Sequence, residues 1–367
     1  MLEVIDNKDA LVEHFESKGY TSVTENDHKL IKLYTDVEKE LEALYSGVGL
    51  RNISHLGLIE LKGKDVLDFL HRITTNSVKD LPKEGITKTV FTTEKGRIVG
   101  LGVLLNFEDY QLLVCDRKSK PNVMSWIRKY VITDDVQVND ANVKYSLLEL
   151  CGPQADSFIT LVTGNIVNDI EPNTFRIVNT ENILFFLVKL VDEMGGNKFW
   201  MLGDYENSKK LVDYMLENKG AYDFTLIGED AYNSYRIEQG IPVAPNELND
   251  NYNPHEAGLI DFVDLNKGCF IGQEVIGRLD AYDKVQRQIS GVTFSEAVKD
   301  DERLTLVDEN GNEAGIVTSS INSTKLKEYI GLAYIKKQFL NNETKLIAKN
   351  STSRAIPVEV DSLPFIK

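Results

Sequence analysis

The pattern of residues changes near position 285, and this change constrains the fold more than any other feature. Beyond it, short segments rich in β-branched and aromatic residues recur at regular spacing, among them QRQISGVTF, YIGLAYI and AIPVEV. The stretch DENGNE, at residues 308–313, contains an Asn-Gly pair, which is typical of a tight hairpin turn. Residues 285–367 are therefore predicted to form a small all-β domain, a partly closed barrel.

Ahead of residue 285, helical and strand patterns are mixed. GKDVLDFLHRITT places apolar residues at helical spacing, whereas LGLIELKG alternates apolar and polar residues as a strand does. The stretch at 87–116 is β-branched and interrupted by Gly, which predicts two or three antiparallel strands. This mixture predicts an α+β domain over residues 46–284, with two subdomains that divide near residue 145.

Residues 1–45 are acidic and mostly helical in pattern, with apolar residues near a 3.6-residue period from Leu30 to Leu44. The first twenty residues lack the basic and apolar regions of a secretory signal, and no apolar run reaches the length of a membrane span. We therefore expect a cytoplasmic protein without membrane contact. The net charge of −16 opposes direct binding to phosphate backbones.

The cysteine and histidine patterns predict no resident metal site. The three cysteines, Cys115, Cys151 and Cys269, are far apart and odd in number, so they do not form a disulfide framework. The five histidines form neither HxxxH nor HExxH. The sequence thus predicts neither a structural zinc site nor a four-cysteine iron–sulfur cluster within one chain.

The stretch NKGCFIGQE, at residues 266–274, allows two interpretations of Cys269. Two glycines within it permit a sharp turn in which a small buried residue would fit. A cation close by, here Lys267, can instead lower the pKa of a thiol and make it reactive. Composition and spacing do not decide between burial and reactivity.

Two further stretches are candidates for a site. VDEMGGN, at 191–197, brings carboxylates to a Gly-rich turn, where they can grip a nitrogen-rich ring or simply be solvated. In the long irregular stretch at 235–259, Arg236 and Glu238 would share a face on a strand, which favours an internal ion pair. The sequence contains no Ser-His-Asp pattern, Walker loop or nicotinamide fingerprint.

These motifs together resemble a known family. KGCFIGQE resembles the K-G-C-aromatic-x-G-Q-E signature of the YgfZ proteins, which are folate-binding relatives of the glycine-cleavage T-protein, an aminomethyltransferase. SHLGLIELKGKDVLDFLHRITTNSV, TEKGRI, YRIEQGIP, NPHEAGL and GIVTSSINSTKLKEYIGLAYI resemble further blocks of that superfamily. The resemblance runs from about residue 46 to residue 367, and the cysteine octapeptide is its most specific part.

The resemblance implies a fold and a ligand. The fold would be three subdomains around a central folate cavity, one of them ferredoxin-like, with the β-barrel last. The ligand would be tetrahydrofolate or another reduced folate. By resemblance, the working thiol is Cys269, flanked by Lys267, and the folate-binding residues are Glu193, Arg236, Gln273 and Arg278.

Two departures from the T-protein pattern bear on activity. Aminomethyltransferases carry an acidic pair after the G-x-I strand, but Gly100 and Leu101 stand there in this chain. Neither residue can handle a proton at the folate nitrogen. In addition, Cys115 stands where relatives often have Asn.

The resemblance therefore implies a YgfZ-like protein that binds tetrahydrofolate and acts in iron–sulfur cluster assembly or repair. Iron–sulfur enzymes or assembly proteins would be its partners. Folate-dependent aminomethyl transfer in glycine cleavage is the alternative, and a purely folate-binding module, with Cys269 as a packing residue, is a third. Whether the protein turns over a substrate is left open.

Overall fold

The computed structural model describes residues 9–25, 28–191, 196–282, 284–299, 304–341, 344–350 and 355–366. These residues form a two-stranded hairpin, a five-stranded sheet, a six-stranded sheet and a closed barrel. Short 3-10 helices lie at Gly164–Asp169, Ile260–Phe262 and Lys337–Phe339. Among the described residues, no helix is both long enough and apolar enough to cross a membrane.

The N-terminal part is only partly helical. Its elements are α1 (Ala10–Ser17), β1 (Val23–Glu25), β2 (His28–Leu30) and α2 (Val37–Ser46). The helical periodicity ahead of Val37 was misleading, because the Asp36 carboxylate accepts a hydrogen bond from the Lys39 amide at 2.9 Å and starts α2 there. Leu11 and Phe15 of α1 are buried in the core beside the six-stranded sheet, so this segment packs onto the rest of the chain.

The five-stranded sheet is antiparallel, in the order β5-β6-β7-β4-β8. Its strands are β4 (Gly57–Lys62), β5 (Ile86–Thr92), β6 (Ile98–Asn106), β7 (Gln111–Cys115) and β8 (Gln137–Asp140). Two helices, α3 (Val66–Ile73) and α4 (Lys120–Tyr130), pack against it through one shared apolar cluster. The predicted strands over 87–116 and the helix predicted from GKDVLDFLHRITT, which is α3, are confirmed.

The six-stranded sheet has the order β10-β11-β12-β9-β3-β13. Its strands are β3 (Val48–Asn52), β9 (Ser146–Cys151), β10 (Thr174–Thr180), β11 (Ile183–Val191), β12 (Asn197–Gly203) and β13 (Phe224–Ile227). Helices α5 (Ala155–Thr163) and α6 (Tyr205–Glu217) contribute to its core. Because β3 precedes the five-stranded sheet in the chain yet pairs with β9, the two units are interleaved in sequence.

Residues 235–238 form part of a helix, not the strand that the sequence allowed. Helix α7 (Glu229–Glu238) begins after Gly228 and carries Glu229 and Asp230 in its first turn, where the helix dipole favours acidic residues. A long irregular connection then leads to α8 (Gln273–Ala281). Arg236 therefore does not pair with Glu238, which instead accepts a hydrogen bond from Ser323 Oγ at 2.6 Å.

The C-terminal strands close completely into a barrel, in the order β14-β17-β16-β15-β18-β19. They are β14 (Arg287–Phe294), β15 (Thr305–Val307), β16 (Glu313–Ser323), β17 (Glu328–Lys336), β18 (Lys345–Lys349) and β19 (Ala355–Asp361). The predicted hairpin turn is present, with Gly311 at φ 83°. The prediction of an α+β chain that ends in a β-barrel is confirmed.

Candidate functional site

The loop that carries Cys269 is anchored by a buried lysine. Lys267 is 9% exposed, and its Nζ donates hydrogen bonds to the carbonyl oxygens of Thr74 at 2.7 Å and Asn76 at 2.6 Å. Burial lowers the pKa of Lys267 to about 7, while the nearby Asp264 carboxylate opposes that shift. The lysine therefore ties the loop to the segment that follows α3.

A second set of contacts holds the end of this loop. Thr92 Oγ1 donates to the carbonyl of Ile271 at 2.7 Å, and the Ile271 amide donates to the carbonyl of Arg72 at 3.2 Å. Gly272 has φ 86°, and a Cβ built on it would lie 2.6 Å from the carbonyl oxygen of Thr93. Only glycine fits such an approach without displacing the backbone.

Cys269 is the exposed cysteine of the three. Cys115 is buried, and burial raises the pKa of its thiol to about 12, whereas Cys151 is half-buried and lies 3.8 Å from the carbonyl oxygen of Gly49. Between its two anchors, the loop therefore presents Cys269 to solvent. Of the two interpretations of the sequence, burial of this thiol is wrong.

His71 is the titratable side chain next to the loop from α3. Its Nε2 lies 4.0 Å from a Cβ built on Gly268, and its Nδ1 accepts a hydrogen bond from the amide of Val78 at 3.3 Å. Burial and the charge of Lys267 lower the pKa of His71. The imidazole is therefore neutral near pH 7, and its remaining proton is on Nε2, which faces the loop as a donor.

The other predicted site residues differ in how far their side chains are buried. Gln273 is half-buried and starts α8 directly after the loop, whereas Arg278 is exposed near the end of that helix. Arg236 is 4% exposed and forms an ion pair with Glu247, at 3.2 Å between Nη1 and Oε2. Its Nη2 also donates to Ser319 Oγ of the barrel at 3.0 Å. Arg236 thus joins α7 to the barrel.

Glu193 lies outside the described residues. A pocket of about 360 Å³ is lined by Gly196 and Lys198, and by Tyr232, Tyr235 and Gln239 of the α7 region. Among the described residues, the Gln239 side-chain oxygen is buried with no hydrogen-bond partner. An acceptor of this kind beside tyrosine rings suits a flat ring that carries N–H groups.

Glu149, which lines this pocket, belongs to a buried charge cluster that the sequence interpretation missed. Arg51 Nη1 donates to Glu149 Oε1 at 2.6 Å, and Trp200 Nε1 donates to Glu149 Oε2 at 2.9 Å. Burial would raise the pKa of Glu149, but the charges of Lys198 and Arg51 and the hydrogen bond from Trp200 hold it at about 2. Strands β3 and β9 are largely apolar, and each contains one charged residue, Arg51 and Glu149 respectively. These two isolated charges were the signal in the sequence for the cluster.

Gly100 and Leu101 occupy the positions where aminomethyltransferases carry an acidic pair, and neighbouring apolar side chains fill the space around them. A Cβ built on Gly100 would lie 2.6 Å from Cγ2 of Val123 on α4. Leu101 packs against a cluster that includes Leu248 and Tyr252 of the long connection and Tyr334 of the barrel. These two positions therefore supply no proton-handling group where the five-stranded sheet meets the other units.

Two family descriptions match almost the whole chain. The GCVT N-terminal domain matches residues 11–267, and the glycine cleavage T-protein C-terminal barrel domain matches residues 287–367. The chain belongs to the glycine cleavage T-protein family. Within the described residues, this T-protein relative contains no group of three or more His, Cys, Asp and Glu side chains that could hold a metal ion.

Individual proteins are also similar to this chain over most of its length. The chain is 27% identical over 311 residues to a chloroplast protein of Arabidopsis thaliana that is provisionally named a transferase, covering 84% of this chain and 70% of the relative. It is 25% identical over 336 residues to the aminomethyltransferase of Bacillus licheniformis, covering 91% of each.

A solved T-protein structure confirms the fold. The glycine cleavage system aminomethyltransferase T of Bartonella henselae superposes with a TM-score of 0.82, at 21% identity and 97% coverage of each chain. The predicted T-protein-like fold is thereby confirmed, and the resemblance to the YgfZ proteins within the family stays a prediction.

Proposed function

We propose that this protein binds a reduced folate, tetrahydrofolate or a close derivative, and supports the assembly or repair of iron–sulfur enzymes, with Cys269 as the working thiol. The observation that carries the proposal is the anchored loop, which exposes Cys269 while Lys267 is buried beneath it. Membership in the T-protein family supports the folate part.

The surroundings of Cys269 suit thiol chemistry. The thiol is exposed to a reaction partner, and the His71 ring lies next to the loop, with Nε2 4.0 Å from a Cβ built on Gly268. A thiolate there could ligate a transferred cluster, accept a sulfur or oxidative modification, or react with a one-carbon unit carried by folate. Three scattered cysteines do not build a cluster of their own, so a cluster would be cargo shared with a partner protein.

The pocket lined by Lys198, Tyr232, Tyr235 and Gln239 is the proposed place for the pterin. Glu193 would accept its N–H groups, and the unpaired Gln239 oxygen and the Tyr232 and Tyr235 rings fit the same kind of ligand. Arg236, Gln273 and Arg278 are the further folate-binding residues of the proposal. Arg236 is already paired with Glu247, so its contribution would be to position the surrounding elements.

Aminomethyl transfer remains the alternative, because the named relatives include aminomethyltransferases. That reaction needs a group that handles a proton at the folate nitrogen, and Gly100 and Leu101 cannot do so. The alternative predicts folate-dependent release of ammonia from an aminomethyl-lipoyl carrier protein. Repeated ammonia release by the purified protein would establish aminomethyl transfer and contradict the thiol proposal.

Complementation of a deletion strain tests the thiol. Wild type should restore the activities of iron–sulfur enzymes, whereas Cys269→Ala should not. Asn266→Ala is the matched control, because it changes an exposed side chain of the same loop and leaves the thiol in place. Full recovery with Cys269→Ala would remove Cys269 from the function and favour the folate-binding module.

Calorimetry tests the folate pocket separately. Glu193→Ala should weaken tetrahydrofolate binding by about tenfold or more, because a carboxylate that accepts ligand N–H groups contributes about 1.5–3 kcal/mol. Glu171→Ala, at an exposed position, is the control. Equal affinity of the wild type and Glu193→Ala would exclude Glu193 from the site.

A further inference from the structure

Residues 363–366, which follow the last strand of the barrel, pack against two glycines. A Cβ built on Gly240, which follows α7, would lie 2.9 Å from Cβ of Leu363. A Cβ built on Gly291 of β14 would lie 2.6 Å from Cζ of Phe365. Only glycine at these two positions leaves room for the segment, so its two apolar side chains fix it between α7 and the barrel.

The backbone of this segment reaches the pocket at the end of α7. The Phe365 amide donates a hydrogen bond to the carbonyl oxygen of Glu238 at 2.9 Å. One residue further on, the carbonyl oxygen of Ile366 accepts a hydrogen bond from Nε2 of Gln239 at 3.3 Å. Ile366 and Gln239 both line the pocket of about 360 Å³. The segment therefore holds a side chain of the pocket by its amide nitrogen.

Both partners of the Gln239 nitrogen are acceptors, which fixes the orientation of the amide. The carbonyl of Ile366 has no proton to give. The hydroxyl of Tyr45 accepts from the same Nε2 at 3.3 Å, because its own proton is donated to Oε2 of Glu238 at 2.6 Å. A flipped amide would turn its oxygen toward these two oxygens. The hydrogen-bond network thus assigns the nitrogen to this side.

The amide oxygen is left for a ligand. Among the described residues, Oε1 of Gln239 is buried and has no hydrogen-bond partner. A buried acceptor without a partner is unfavourable, and a ligand group that donates a hydrogen bond to it removes that penalty. A ligand group that is itself an acceptor leaves the penalty in place. The pocket therefore distinguishes donors from acceptors at this position.

We propose that residues 363–366 select the reduced ring of a folate, because they fix the Gln239 amide with its oxygen free to accept. This inference rests on the proposed folate function. The tetrahydropterin ring carries N–H groups at N5 and N8, whereas the same nitrogens of folic acid have no hydrogen and only accept. Leu363 and Phe365 act as positioning residues, since neither is among the residues that line the pocket.

Calorimetry with tetrahydrofolate and folic acid, in oxygen-free buffer, tests the selection. The wild type should bind tetrahydrofolate at least about tenfold more tightly, the usual effect of a buried hydrogen bond made or lost. Phe365→Ala should reduce this affinity ratio by about fivefold or more, because the released segment lets the Gln239 amide rotate. Phe339→Ala is the matched control, since it truncates a partly buried ring in a different apolar cluster of the barrel and should keep the ratio of the wild type.

Gln239→Leu provides a second test, because it removes the acceptor without releasing the apolar side chains of residues 363–366. This variant should lose the preference for the reduced ring as well, and thermal unfolding should show that it is folded. The inference is overturned, with the folate function intact, if the wild type binds both folates equally or if Phe365→Ala and Gln239→Leu keep its affinity ratio. Binding of neither folate by the wild type would overturn the proposed folate function together with this inference.

Discussion

The Nζ of Lys267 donates a hydrogen bond to the carbonyl oxygen of Thr74 at 2.7 Å, although 193 residues separate the two in sequence. The bond joins the cysteine loop to the segment after α3, and a second bond to the carbonyl of Asn76 reinforces it. Cys269 is exposed on a loop fixed in this way, which is how the fold can present a thiol without leaving it on a mobile segment.

Lys267→Met should release the cysteine loop. The substitution keeps most of the side-chain volume but removes both hydrogen bonds, so the free energy of unfolding should fall by about 1–3 kcal/mol. Hydrogen exchange should accelerate across residues 264–274 more than elsewhere. Lys349→Met, at an exposed position in the barrel, should change neither quantity. Unchanged exchange in the loop would contradict the role of Lys267 as an anchor.

The same lysine predicts a pH dependence of stability. Its pKa falls from 10.5 to about 7 in the folded protein, mainly through burial. Between these values the unfolded chain binds more protons, so the contribution of Lys267 to stability rises with pH, by at most about 1.4 kcal/mol per pH unit. Urea unfolding from pH 7 to 9.5 should show the wild type gaining stability relative to Lys267→Met. A constant difference between the two would refute this.

Glu149→Gln should be strongly destabilising. It removes the partner of Arg51, whose guanidinium is buried over the Tyr232 ring at 3.1 Å from the ring centroid, and leaves that charge without compensation. We expect a loss of about 3–5 kcal/mol in urea unfolding at pH 7. Combining it with Arg51→Met should cost less than the sum of the single changes, whereas Glu217→Gln, at an exposed site, should be neutral.

This charge cluster also predicts acid sensitivity. The pKa of Glu149 is lowered from 4.5 to about 2, so its stabilising contribution is complete above pH 4.5 and is lost as the pH falls toward 2. The stability difference between the wild type and Glu149→Gln should therefore shrink over that interval. A difference that persists at pH 2 would show that the carboxylate charge is not its source.

Gly100→Ala should destabilise the contact between β6 and α4. The added Cβ would lie 2.6 Å from Cγ2 of Val123, a stiff β-branched side chain, and such overpacking typically costs about 1–3 kcal/mol. Val123→Ala in the same chain should recover part of that loss, as thermal unfolding can measure. Additive effects of the two substitutions would exclude the steric explanation.

Arg236 and Arg278 should behave differently, although both are proposed folate residues. Arg236→Lys removes the planar guanidinium group, which contacts both Glu247 and Ser319. The substitution should therefore lower the free energy of unfolding by about 3 kcal/mol. Arg278 is exposed, and its replacement by Lys should leave unfolding unchanged. Equal stability of the two variants would contradict the role of Arg236 in joining α7 to the barrel.

Local sequence patterns predicted the elements that local chemistry controls. The Asn-Gly turn and the regularly spaced β-branched segments indicated the barrel, and the helical spacing of apolar residues in GKDVLDFLHRITT indicated α3. The segment around Arg236 was misjudged, because a strand and a short helix both accommodate YRIEQ and only its packing against α2 and the barrel selects the helix.

The sequence by itself determined the family, the α+β and barrel architecture, and the identity of the cysteine loop, because periodicity, turn residues and motifs are local properties of the chain. Only the tertiary structure decided that Cys269 is exposed, that Lys267 is buried, and that Arg51 pairs with Glu149 across 98 residues. Burial and pairing depend on which distant segments meet, and those meetings are set by packing of the whole chain.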